Sequence, residues 1–235
     1  MKIGAKLILI ISVVNLVGIG GLTVAATLFS SSQIKDLADE NAGNITEITA
    51  ERVTAFLEVP LDEMRSLVNL MVFIDEIAPV ETRRDYVNFI LRSLIRKNPD
   101  FVGAWVVFEP NALDGRDAMF RNTPGSDETG RFISYWTNDN GRIELAALEG
   151  YANADYYTTP LRTGREYLVE PYYENIGGRQ VLITSVTVPI VKDGRRLGVA
   201  GVDLELTDIQ AMILEIKPFG DGYAAIYSRD RKSVV

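Results

Sequence analysis

The sequence predicts an α+β fold: a membrane helix and a long helix, then a module built on a central antiparallel sheet. Three observations predict it. Leu7 to Phe29 is an uncharged apolar run. Ile34, Leu37, Ile45, Ile48, Val53, Phe56 and Leu57 then recur close to helical spacing. Tyr167 to Leu206 holds three apolar runs rich in β-branched residues, divided by Gly177-Gly178 and Asp193-Gly194. Both pairs supply the positive φ of tight hairpin turns, so this stretch reads as a meander.

Residues 1–6 carry two lysines and no acid. They predict a cytoplasmic N-terminus, with residues 7–29 crossing the membrane, since ~20 apolar residues span the hydrocarbon core. A cleaved signal peptide is the competing reading, because Val24-Ala25-Ala26 loosely resembles a cleavage site. The run is longer than a usual signal core, so an uncleaved anchor is expected. Residues 30–76 form the long outward helix, which Pro60 is expected to kink or restart. Its apolar stripe suits either a second subunit or the chain's own domain, and the pattern leaves both open.

Glu81 to Lys97 predicts a second helix, with Tyr86, Phe89, Ile90, Ser93 and Leu94 on one face. Asn98-Pro99 stops it. Phe101–Phe108 is a short strand. Glu109 to Gly130, rich in Pro, Gly, Asn and Asp, reads as a long loop, either a functional lid or disordered. Arg131 to Thr137 is another strand, and Asn138 to Gly141 a turn. Residues from Ile143 to Tyr157 fit neither pattern, and Pro160 closes them. After the meander, Thr207 is placed to cap a helix to about Ile216, and Phe219 to Tyr227 opens a new strand. Asp230 to Val235 does not continue that strand. Its DRKSVV matches one translation of a common DNA-sequencing adapter, so residues 230–235 are expected to be a non-native tail.

Composition narrows function. The 235 residues include no cysteine and no histidine, and the formal net charge is -8. Disulfides, thiolate metal sites, nearly all zinc sites and histidine-based nucleophile arrangements are excluded. Acidic charge argues against nucleic acid as a partner. No cofactor and no metal site is expected, and binding is favoured over chemistry.

The meander's last strand supplies the candidate site. Alternate residues of a strand share a face. Gly198, Ala200, Val202, Leu204 and Leu206 form an apolar face, and Val199, Gly201, Asp203 and Glu205 form the other. Gly201 beside Asp203 reads as room for a small molecule next to a charge. A solvated acid at a strand end is the plainer reading of the same spacing.

In order, the long helix, FVGAWVVFEPNALDG, YWTNDNG, the EPYY to VDLEL stretch and PFGDGYAAIY resemble a known family. It is the double Cache extracytoplasmic sensor of bacterial methyl-accepting chemotaxis proteins and sensor kinases. The resemblance implies a PAS-like sheet with helices on one face and a ligand pocket on the other. It implies a membrane-distal Cache module over residues 77–216 and the start of a membrane-proximal module over residues 217–229. The family continues into a second membrane helix and an output domain, so this chain is expected to be truncated. In the amino-acid-binding branch an arginine precedes an aromatic pair. The pair looks like Tyr156-Tyr157 here, but Ala154 stands at the arginine position. Tyr172, Glu174 and Asp203 match further polar positions, the family's upstream tyrosine falls near Glu149 or Tyr151, and Asp155 adds a further acid. Trp105, Tyr135 and Trp136 are candidate walls. Arg131, Arg162, Arg165 and Arg179 are the arginines left to restore an anion site. Lacking that arginine, the site suits an amine or other cationic ligand better than an α-amino acid.

The resulting expectation is a non-enzymatic chemoreceptor sensor in the bacterial inner membrane. Its ligand module would be periplasmic, and it would pair as a homodimer through the long helix. A sensor module of a histidine kinase or cyclic-dinucleotide enzyme is the alternative. A membrane-anchored hydrolase pairing Asp155 with Asp203 is a more distant one.

Overall fold

The structure, a computed structural model, describes residues 3–218 and 220–227. The suspected tail at residues 230–235 and Phe219 lie outside the described residues, as do Met1 and Lys2. The chain divides into two compact units, residues 1–51 and residues 52–235.

The described part of the first unit is helical throughout and belongs to α1 (Ile3–Val72). Side chains from Ile11 to Phe29 are exposed. Among the described residues one helix is long and apolar enough to cross a membrane, with an 18-residue window of mean hydropathy 1.9.

In the second unit α1 passes Pro60 without interruption, contrary to the expected restart. Proline removes one backbone hydrogen bond. Met64, Val68 and Met71 beyond it are buried in the main core, and that burial outweighs the lost bond. A short α2 (Ile74–Ile77) and a 3-10 turn (Val80–Thr82) lead into α3 (Arg83–Lys97). The buried stripe of α3 is Arg84, Val87, Ile90, Leu91, Leu94 and Ile95. Tyr86 and Phe89, placed by spacing on one face with Ile90 and Leu94, are 38% and 67% exposed. The true stripe contains an arginine, which an apolar pattern passes over.

Among the described residues seven antiparallel strands form one sheet. They are β1 (Phe101–Phe108), β2 (Ser134–Asp139), β3 (Arg142–Ala147), β4 (Tyr167–Leu168), β5 (Tyr172–Ile176), β6 (Arg179–Lys192) and β7 (Arg195–Glu205). The order is β3-β2-β1-β7-β6-β4, and β5 also pairs with β6. β2 lies a few residues beyond the expected Arg131–Thr137. The first run of the meander is two short strands rather than one, broken before Pro171, which has no N–H for a ladder. The Asp193-Gly194 turn has φ of 51° and 76°, the hand that matches strand twist.

One face of the sheet packs on α1 and α3 through Ala104, Val106, Phe108, Val186, Val188, Ala200, Val202 and Leu204. The other face carries α4 (Asp155–Thr163). Pro160 lies inside α4 rather than closing it. The helix ends at Gly164, with φ 67°. In α5 (Thr207–Glu215), Thr207 is not a cap; its hydroxyl donates to Glu205 Oε1 at 2.7 Å. Residues 220–227 form no strand element, against the strand expected from Phe219 to Tyr227.

Candidate functional site

Pairing across strands decides what meets Asp203. Directly opposed residues share a face. Gly103 and Ser185 lie opposite Asp203, and Trp105 and Thr187 lie opposite Gly201. Tyr135 lies opposite Trp105. Period-two alternation thus gathers Gly103, Trp105, Tyr135, Ser185, Gly201 and Asp203 on the face that α4 covers.

The gap at Gly201 is not ligand space. A Cβ there would lie 2.4 Å from Trp105 Cζ2, so the indole fills the room the glycine leaves. This corrects the expectation of a vacant notch. The reason is cross-strand register, which brings the largest side chain of β1 onto the smallest of β7. Seated this way, Trp105 Nε1 donates to Asp203 Oδ1 at 3.1 Å. Gly103 plays the matching part. A Cβ there would lie 2.6 Å from Asp203 Oδ2 and 2.8 Å from Tyr135 Oη.

Asp203 is 2% exposed. Ser185 Oγ donates to its Oδ1 at 2.6 Å. Ser185 Oγ and Tyr172 Oη are 2.9 Å apart. Since the Ser185 proton goes to Asp203, Tyr172 is the donor in that pair. Tyr156 of α4 closes the site: its ring lies 5.1 Å from that of Trp105 and stacks 6.5 Å from that of Tyr172. The Tyr135 hydroxyl is buried without a hydrogen-bond partner of acceptable geometry. Among the described residues no lysine or arginine bonds to Asp203.

The electrostatics follow. Burial holds the Asp203 carboxyl above its ordinary value, opposed by the hydroxyl of Ser185, the indole of Trp105 and the nearby hydroxyl of Tyr135. Burial, then the nearby Asp203, raises the hydroxyls of Tyr135, Tyr156 and Tyr172. Glu174 on β5 is half-buried and adds negative potential at Asp203. The site is therefore a desolvated acid among aromatic rings, with no countercharge of its own.

Of the expected residues, Asp203, Tyr172, Tyr156, Trp105 and Tyr135 come together, with Glu174 beside them. Asp155 does not: it is exposed in the first turn of α4. It makes no carboxylate pair with the buried Asp203. Tyr157 turns to a different cluster. Its hydroxyl bonds to Glu109 and Arg131, and its ring meets Tyr151 edge-on at 5.2 Å. Arg131 also donates to Phe108 O at 2.5 Å and to Glu109 Oε1 at 2.6 Å. Its donors are thus committed to the fold. Arg179 pairs with Asp139, and Arg162 and Arg165 are exposed. Trp136 bonds to Asn88 of α3, on the opposite face.

Sequence reasoning missed Ser185, which joins Asp203 to Tyr172. Alternation on β6 carries a signal for it, but only once the register to β7 is known. It also missed Arg84, which is buried and reaches Asp114 at 2.7 Å, Asp117 at 2.6 Å and Gly130 O at 2.8 Å. The guanidinium sits 4.0 Å from the Phe120 ring centroid. The segment expected to be a lid or disordered is instead tied to α3 by this cation and by Arg83, which donates to Leu113 O at 3.1 Å.

A sheet with helices on both faces, following an apolar N-terminal helix, defines a PDC/Cache-like sensor fold. Residues 87–211 match the family described as methyl-accepting chemotaxis protein-like, first PDC sensor domain, and the chain belongs to that family. The methyl-accepting chemotaxis protein TlpQ of Pseudomonas aeruginosa is 36% identical over 137 residues, 52% of this chain and 19% of TlpQ. The chain thus matches under a fifth of that relative's length. Among solved structures, the extracellular domain of mmHK1S-Z2, named for a histidine kinase, is 32% identical with a TM-score of 0.73. That match covers 80% of this chain and 68% of the solved one. The ligand-binding domain of the Pseudomonas aeruginosa PAO1 chemoreceptor PctC, solved with GABA, shares the fold at 20% identity and a TM-score of 0.59. It covers 83% of this chain and 73% of its own.

Proposed function

We propose that this chain senses a small cationic molecule, an amine in preference to an α-amino acid, at Asp203. One observation carries the reading: a carboxylate buried under aromatic rings with no basic side chain bonded to it. An ionised acid in that setting lacks a countercharge, and a ligand ammonium supplies one. Trp105, Tyr156 and Tyr172 add cation–π attraction of about 0.5–2 kcal/mol. The carboxylate of an α-amino acid has no grip here, because Ala154 replaces the family's arginine and Arg131 is bonded elsewhere.

The domain works at the outer face of a bacterial inner membrane, with residues 7–29 as the anchor. The apolar stripe of residues 30–76 pairs two copies. Ligand binding parts Tyr156 from Trp105 and Tyr172, and α1 carries the change to the membrane. Residues 77–216 are the sensing module, and residues 217–229 begin the next. The output is that of a chemoreceptor, following the family. The histidine-kinase domain at 32% identity favours the second reading, a kinase sensor, and the sequence downstream in the same gene decides between them.

The test is thermal unfolding of the detergent-solubilised full chain with ethylammonium, GABA, isoleucine and succinate. The amine is expected to raise Tm by several degrees and succinate to leave it unchanged. Stabilisation by succinate alone, or by ethylammonium equally in Asp203→Asn, overturns the reading.

A further inference from the structure

Asp203 faces a definite set of groups, one or more from each element packed against it. Trp105 comes from β1, Tyr135 from β2, Ser185 from β6, Tyr172 and Glu174 from β5, and Tyr156 from α4. All are neutral near neutral pH except Glu174, which is an acid. Among the described residues nothing positive faces the carboxyl. A carboxylate buried without a partner takes up a proton in preference to holding a bare charge.

The two oxygens of the carboxyl are bonded unequally. Trp105 Nε1 and Ser185 Oγ both donate to Oδ1, the role of a carbonyl oxygen. Oδ2 shares the notch at Gly103 with Tyr135 Oη, a buried hydroxyl that meets no partner at good hydrogen-bond geometry and whose closest polar neighbour is Asp203 itself. A carboxylic acid with its hydroxyl on Oδ2 matches both facts. It leaves Oδ1 as the acceptor of two bonds and gives the Tyr135 oxygen a donor nearby.

We infer that Asp203 is an exchange site: the empty domain holds a proton on Oδ2, and an incoming cation replaces it. This rests on the cation reading of the site. The O–H bond breaks with its electron pair left on Oδ2, the proton passes to solvent, and the cation pairs with the carboxylate formed. One positive charge enters and one leaves, so the site's net charge is unchanged. Occupancy then follows the ratio of cation to protons rather than the cation alone. Below the carboxyl's ionisation, affinity weakens tenfold for each unit the pH falls.

The experiment is calorimetric titration of the full chain with tetramethylammonium chloride, whose own charge never titrates. It is run from about pH 5 to pH 8 in pairs of buffers with unequal ionisation heats. The expected result is release of close to one proton per cation at the acid end, with affinity rising tenfold per unit there. Binding with no buffer dependence across the range overturns the exchange and leaves the cation reading standing. No binding at any pH overturns both. A second measurement needs no ligand. With Trp136→Phe, Trp105 is the only tryptophan, and its indole N–H resonance reports the acid it bonds to. That resonance is expected to titrate in the empty protein above the ordinary carboxylate range; a flat trace from about pH 4 to pH 9 overturns the inference.

Discussion

Substituting alanine for Gly201 adds a single methyl group, 2.4 Å from Cζ2 and 2.6 Å from Cε2 of Trp105. Ordinary contact begins near 3.4 Å, so the indole must retreat by about 1 Å. Elsewhere in a strand, glycine to alanine stabilises by about 0.5–1 kcal/mol. Here two larger effects oppose that gain. Overpacking a closed core costs about 1–3 kcal/mol. A 1 Å shift also carries Nε1 off its 3.1 Å bond to Asp203, at about 1 kcal/mol. The net expectation is destabilisation by roughly 1–3 kcal/mol. Urea denaturation of Gly201→Ala, Trp105→Phe and the double variant measures it. In the Trp105→Phe background the smaller ring leaves space, so the alanine is expected to cost under ~0.5 kcal/mol. A single variant as stable as the parent, or a cost unchanged when Trp105 is phenylalanine, refutes the filling of the Gly201 notch by the indole as what seats this acid.

Three further outcomes follow from the same contacts. Asp203→Asn keeps the shape and removes the acid. Because burial raises this carboxyl above its unfolded value, its contribution is full at low pH and is lost as pH rises through the folded value. The variant is therefore expected to exceed the parent by about 1–3 kcal/mol at neutral pH, with the difference vanishing in acid, in denaturation curves taken across pH. Arg84→Met strands two buried carboxylates and is expected to cost about 3–5 kcal/mol and to open residues 109–130 to protease. Burial pushes Asp114 up, but Arg84 holds it below its ordinary value, so this contribution fades as pH falls, and the variant's acid limb is expected to flatten. Tyr157→Phe removes the hydroxyl that Arg131 and Glu109 share. It is expected to lower stability by about 1–2 kcal/mol while leaving affinity for ethylammonium within roughly threefold, which calorimetry checks.

Much of the sheet was legible because its signals are local. Asp193-Gly194 fixes its hairpin by backbone chemistry alone, and alternation along β7 separates Ala200, Val202 and Leu204 from Gly201 and Asp203. What escaped the sequence is what depends on register. Nothing along the chain says that Trp105 faces Gly201, so a filled notch read as an empty one. Arg84 escaped for a related reason: its partners lie 30 to 46 residues further on, in a stretch whose composition says only loop. Tyr156 and Tyr157 read as one aromatic pair, yet neighbouring positions on a helix point about 100° apart. Only the packed helix separates their roles.

That separation has a mechanical consequence. Tyr156 leans over the acid, while the next residue is bolted through Arg131 to the far end of β1. A molecule that wedges under the first ring cannot simply lift the helix away, because the adjacent residue pins it. The short helix must pivot about that pin. On the proposed reading, displacement at the mouth of the cage would become rotation of a rigid arm about a contact that lies outside the proposed ligand site.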